Sequence, residues 1–313
     1  MSKTFVRDRR VRTDDASGRL FRGIGDGPRP GVLLCHGAGG AGGYEQRYAA
    51  MLAEHGYTVF CVEYFGAPGV RDALLEVPLE EFGDAAEWLL DRPTVSGDAV
   101  GVIGFSRGGE AALLVGSQFD TVGVVVAYVP SCYAWAAPSW MDGVGDDRPS
   151  WTLDGEPVPY LNIDEYVPDD NDPDDPLTSD GHSACSLALE GTTEAAKERA
   201  TIPVEAIDGL VLLVSGGSDT VWPSSLFADR AAARLERNNH AWQFDHLAVP
   251  DAGHAIRVPY RFDEETPLDG THAYGGTHSE NARASALAWR RTLQYLDRAL
   301  GPSDAPVVGR SDT

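Results

Sequence analysis

Residues 99–116 read AVGVIGFSRGGEAALLVG, an apolar run that breaks at a glycine-serine-glycine cluster and resumes with helical spacing. The first half suits a strand buried on both faces and the second half a helix, and the joint is Gly104-Phe105-Ser106-Arg107-Gly108, a G-x-S-x-G pattern. With 19 serines and 35 glycines in the chain, composition alone yields about 0.24 such matches, so the bare pattern means little. Its placement means more. Glycines on both sides of the serine permit a sharp strand-to-helix turn that lifts the hydroxyl above the sheet, beside a helix N-terminus whose partial positive charge favours a developing alkoxide.

Outward from this joint, short runs rich in valine, leucine and isoleucine alternate with amphipathic stretches. Strands are expected at 31–36, 57–64, 99–105, 122–129, 210–215 and 244–250, and helices at 45–54, 79–91, 107–118, 224–237 and 280–300. That rhythm predicts an open α/β fold, a mostly parallel central sheet with helices on both faces, as a single domain over residues 1–300. One connection, at about 131–200, is far longer than usual and rich in proline, aspartate, glycine and aromatics. It leaves a strand's C-terminal end, where such sheets bind ligands, so it is read as a cap insertion. Residues 139–180 carry 13 acids against the single base Arg148, which reads as a solvated surface. The tail at 301–313 is expected to be disordered.

A serine hydroxyl is nearly inert at neutral pH and needs a histidine to take its proton and a carboxylate to fix that histidine's tautomer. On such a sheet the chain order is serine, acid, histidine. Asp219 follows the strand in LVLLVSGGSDTVWPS, and His254 lies beyond the last strand in FDHLAVPDAGHAIRVPY, so Ser106, Asp219 and His254 form the expected triad. Two backbone amides must also meet the oxyanion: Arg107 supplies one, and the glycine-rich loop LLCHGAGGAGG supplies the other from Ala38, or from Gly39 beside it. That loop lacks both G-x-G-x-x-G and the P-loop lysine, which argues against phosphate binding. His36 is expected to brace the loop, Cys132 to be a buried thiol, and His272 and His278 to hold no metal.

The net charge of −23 repels phosphate backbones, so nucleic acid is not an expected partner. Only Lys3 and Lys197 are lysines, and the acid-rich composition is that of a protein kept dissolved in concentrated salt, a halophilic cytoplasm. Four cysteines without a CxxC spacing read as reduced thiols. The N-terminus has no apolar leader core and the longest apolar run, 122–130, is too short to span a bilayer, so neither secretion nor membrane insertion is expected.

Several segments carry a family resemblance: GVLLCHGAGG, YTVFCVEYFG, VPLEEFGDAAEWLLDRPTV, VGVIGFSRGGEAALL, WTLDGEPVPY, IPVEAIDGLVLLVSGGSDTVWPS, DAGHAIRVPY and YGGTHSENARASALAWRRTLQYL. Over residues 30–300 the chain resembles the C-terminal catalytic domain of the acyl-CoA thioesterase and bile acid-CoA:amino acid N-acyltransferase family, a branch of the α/β-hydrolases related to dienelactone hydrolase. The resemblance implies an α/β-hydrolase fold with Ser106, Asp219 and His254 as nucleophile, acid and base. In that family transferase-like members use cysteine and serine members look like thioesterases, so Ser106 implies hydrolysis of a small-molecule acyl thioester through an acyl-serine, without metal or organic cofactor. About 30 residues precede the first core strand, so the family's N-terminal β-sandwich domain is not expected in this chain. The remaining expectations are a carboxylesterase or dienelactone-hydrolase-like enzyme on small esters, and a non-catalytic ligand-binding fold.

Overall fold

The computed structural model describes residues 6–25, 27–141, 143–145, 147–163, 184–259 and 274–301. Its main sheet has eight strands in the order β1 (Val6–Arg12), β2 (Ser17–Gly23), β4 (Thr58–Val62), β3 (Arg29–Cys35), β6 (Val95–Phe105), β7 (Val122–Tyr128), β10 (Leu210–Gly216) and β11 (Phe244–Val249). The pairs β1–β2 and β2–β4 are antiparallel, and every later neighbour is parallel. All six strands read from the sequence are present.

Two strands at the N-terminal edge escaped that reading. VRDRRVR in β1 exposes most of its residues and shows no apolar alternation, because an edge strand has one neighbour and little core to meet. Its arginines reach instead across β2 to the residue just past β4: Arg10 bonds the buried Glu63 at 3.3 Å and Arg12 pairs with the same carboxylate.

Successive residues of each inner strand face opposite sides, and two cores result. Leu33, Val102, Val125 and Leu213 pack with helices α2 (Glu80–Leu90), α3 (Arg107–Gln118) and α6 (Ser224–Arg237), while Val32, Ile103, Val126 and Leu212 pack with α1 (Gly43–Glu54) and α7 (His278–Leu300). Helix α3 is buried over its first ten residues, since the sheet covers one side and the 131–163 segment the other. Thr277 caps α7, accepting the Glu280 amide at 3.2 Å.

The expected cap is more structured than a loop. Residues 131–137 are wholly buried, β8 (Trp151–Leu153) pairs with β5 (Val77–Pro78) from outside the insertion and with β9 (Glu156–Pro157) on its other edge, and α4 (Ala184–Gly191) and α5 (Glu194–Ala200) close it. Of its acids, Asp147, Asp154 and Glu156 are exposed, whereas the run at 164–180 lies outside the described residues, as do the 302–313 tail and His272. Among the described residues no helix is long and apolar enough to cross a membrane.

Candidate active site

Ser106 sits at the end of β6 with φ 57° and ψ −119°, a left-handed conformation that a non-glycine residue rarely holds. The surroundings enforce it. Ser106 N–H donates to Tyr128 O at 2.9 Å, and the Gly109 and Glu110 amides donate to Ser106 O at 2.8 and 3.0 Å. A Cβ on Gly104 would lie 1.8 Å from Gly108 O, and one on Gly108 would lie 2.3 Å from Cys35 O, so both glycines of the motif are sterically required.

The three side chains expected to meet do meet. Asp219 Oδ2 accepts the Nδ1–H of His254 at 2.8 Å, and the Ser106 hydroxyl donates to Nε2 at 2.9 Å. The carboxylate can only accept, so the proton belongs on Nδ1 and Nε2 is left as the base. The other carboxylate oxygen of Asp219 accepts the Val221 and Trp222 amides at 3.0 and 3.3 Å, which fixes the carboxylate plane. The Asp219 side chain is 1% exposed and that of His254 5%. Trp222 meets the imidazole edge-on and Tyr274 stacks on it, with centroids 5.8 and 6.2 Å away.

The residues holding the histidine loop were not legible in advance. His254 N–H donates to Tyr274 O at 2.7 Å, Gly253 N–H to the buried Asn281 Oδ1 at 2.7 Å, and Asn281 Nδ2 to Gly275 O at 3.2 Å. Gly275 also bridges Asp219, and Gly276 bridges Ala252. The YGGTHSEN segment thus ties the Asp219 loop to the His254 loop, a connection that only spatial adjacency reveals.

Arg107 does more than offer an amide. Its side chain is buried against Glu110 at 2.7 Å, and it donates to Trp135 O at 3.0 Å, to Ala136 O at 3.1 Å and to the Ser150 hydroxyl. Glu110 in turn accepts Trp135 N–H at 3.1 Å and Trp151 Nε1–H at 2.7 Å, while burial pushes its carboxyl up to about 7 against the pull of Arg107. Helix α3 and the 131–163 segment are thus joined in one polar assembly.

The loop 36–40 runs beside Ser106: a Cβ on Gly37 would lie 3.5 Å from Ser106 Cβ, and Ala38 next to it is half-buried. His36 braces this loop, as expected. Its ring stacks on Tyr64 at 3.9 Å, its Nδ1–H donates to Gly37 O at 3.0 Å, and burial lowers its pKa to about 4. The unfolded chain takes up that proton near pH 6.5 and the folded one only near 4, so this stability is full above 6.5 and drains away as pH falls through that window. Between pH 7 and 5 the wild type should lose about 2 kcal/mol more in urea unfolding than His36→Gln does, a difference that leaves out the opposite contribution of Glu110, whose raised carboxyl gains stability over the same window in both proteins.

A second chain of the same groups sits nearby and differs instructively. His246 bonds Ser215 Oγ at 2.6 Å and Asp229 Oδ1 at 2.9 Å, yet Ser215 is fully buried inside β10, without a turn that would present its hydroxyl. Burial lowers the His246 pKa despite Asp229. Cys132 is a buried thiol pushed up to about 12, and all four cysteines are free and buried. His278 opens α7, and among the described residues no group of three or more His, Cys, Asp or Glu is placed to hold a metal.

Relatives share this architecture. The chain is 26% identical over 309 residues to human acyl-coenzyme A thioesterase 1, covering 97% of itself and 68% of that protein. It is 27% identical over 299 residues to mouse acyl-coenzyme A amino acid N-acyltransferase 1, covering 94% and 66%. It therefore spans about two thirds of the length of these relatives. Among solved structures it matches a dienelactone hydrolase-like promiscuous phosphotriesterase from metagenomic libraries (TM-score 0.58, 17% identity, 95% and 99% covered) and a Pyrococcus furiosus esterase (0.54, 14%, 95% and 92%). These place the fold among the α/β-hydrolases. A family model matches residues 77–302, a span that holds Ser106, Asp219 and His254 and leaves Ala38 outside. The chain belongs to the BAAT / acyl-CoA thioester hydrolase C-terminal family.

Proposed function

We propose that this chain is a serine hydrolase that cleaves acyl thioesters, with Ser106 as nucleophile, His254 as base and acid, and Asp219 as the group orienting it. The observation that carries the reading is the unbroken Ser106–His254–Asp219 hydrogen-bond chain at a strained strand-to-helix turn. As Ser106 Oγ bonds to the acyl carbon, its proton passes to His254 Nε2, and the Arg107 and Ala38 amides receive the oxyanion. Collapse of that intermediate expels the thiolate, which takes the proton from His254. Water then repeats the sequence on the acyl-serine, releasing the acid and restoring Ser106. These are proton and acyl transfers, and none calls for a metal or organic cofactor.

Turnover of acyl-CoAs of several chain lengths, compared with p-nitrophenyl esters in molar salt, tests the substrate class. Faster turnover of acyl-CoAs is expected; cleavage of esters alone would end the thioesterase reading.

The same proposal places the enzyme in a salt-rich cytoplasm. At about 1 M salt the Debye length is ~3 Å, so self-repulsion among 48 acids and 25 bases is largely screened. Melting temperature and activity are expected to rise together from dilute buffer to molar KCl. Equal stability in both would contradict the halophilic assignment.

A further inference from the structure

Arg257 stands three residues beyond His254 in the same loop. Its guanidinium lies between two tyrosine rings, 4.7 Å from the centroid of Tyr44 and 4.8 Å from that of Tyr274. Each ring also adjoins the catalytic centre. Tyr274 lies within 14° of parallel to the His254 imidazole, and the Tyr44 hydroxyl would be 3.4 Å from a Cβ on Gly37, the same Cβ that would meet Ser106 at 3.5 Å. The backbone is held as well, with Arg257 N–H donating to Ser285 Oγ at 3.0 Å.

Packing, and not a carboxylate, positions this cation. Arg12, Arg71, Arg107 and Arg234 each pair with an acid, whereas among the described residues Arg257 forms no ion pair. The acid that feels its field is Glu45, which is buried and whose carboxyl burial raises. Stacking occupies the two faces of a guanidinium and leaves its in-plane N–H donors at the rim. Those donors make no hydrogen bond to a described residue, and the Arg257 side chain is only half-buried. A cation held by rings that adjoin the His254 and Gly37 loops, in a chain of net charge −23, is suited to drawing an anionic group in against the overall field.

We propose that Arg257 is the anion-recognition residue of the substrate site, receiving a phosphate or carboxylate group of the acyl donor edge-on while the scissile carbonyl lies at Ser106. This rests on the hydrolase reading above, and the closing experiment separates the two.

Arg257→Ala and Arg257→Lys are compared with the wild type on two matched sets of substrates. The thioester set is an acyl-CoA, the same acyl group on uncharged pantetheine, and a pantetheine thioester whose acyl chain ends in a carboxylate. The ester set is an uncharged p-nitrophenyl ester and its ω-carboxylate counterpart. Removing a charge-assisted hydrogen bond should lower kcat/KM of Arg257→Ala by about 10- to 100-fold on anionic substrates alone, with lysine restoring part of it. A loss confined to acyl-CoA identifies the phosphates as the ligand, and one confined to the ω-carboxylates identifies the acyl tail; either supports the proposal. An equal loss on neutral and anionic substrates, which a merely structural role would give, overturns it, as does no loss on any. If the wild type cleaves only esters, the thioesterase reading falls, and the ester set still decides the role of Arg257.

Discussion

Ser106→Ala should lower kcat by about 10⁵- to 10⁶-fold while leaving the melting temperature close to wild type, because the hydroxyl contributes to chemistry and little to packing. His254→Ala should cost a similar factor, and the double variant no more than either alone, since a nucleophile without its base and a base without its nucleophile are equally idle. Asp219→Asn is the sharper probe. Its Oδ1 can still accept the Val221 and Trp222 amides, but its amide Nδ2 would meet His254 Nδ1 as a donor. The proton then moves to Nε2 and the base is lost, a cost of about 10⁴-fold with the fold unchanged. Steady-state turnover with circular dichroism melting measures both quantities. An Asp219→Asn enzyme within tenfold of wild type, roughly 1.4 kcal/mol, would remove the carboxylate from the mechanism.

A large effect on stability is expected at Gly108→Ala. A methyl there would stand 2.3 Å from Cys35 O and 2.4 Å from His36 O, which are backbone atoms of a central strand and of the loop beside the nucleophile. Neither can rotate away, so α3 must lift off β3 and open the core beneath it. A cost above about 4 kcal/mol follows, enough to leave much of the chain unfolded. Gly43→Ala is the control, because a Cβ there meets nothing within 4 Å and alanine favours a helix. Urea denaturation of both variants checks the pair; a folded, stable Gly108→Ala protein would refute the steric account of the motif.

How far these features could be read beforehand depended on whether the cause was local. The runs LVLLVSG and VGVIGF announce central strands because burial on both faces demands unbroken apolar residues, and Ser106 announces itself through the strand and helix that flank it. Asp219 and His254 followed from chain order along strand ends. VRDRRVR carried no such signal, since an exposed edge strand owes its form to hydrogen bonds with β2 and not to its own side chains. Asn281 was equally silent, lying 28 residues from the amide it holds. Glu110 looked like an ordinary helix residue, although Trp135 and Trp151 converge on it from the cap. Ser215, His246 and Asp229 show the converse: three residue types in hydrogen-bonded sequence carry no chemistry where the hydroxyl is sealed inside a strand.

That contrast names the decisive measurement. A fluorophosphonate forms a stable adduct only with a serine that is both activated and accessible, and peptide mass spectrometry locates it. One adduct per chain on Ser106, abolished in His254→Ala and absent from Ser215, is the expected result. Labelling elsewhere, or none in the folded wild-type protein, would contradict the claim that this turn makes an alcohol reactive.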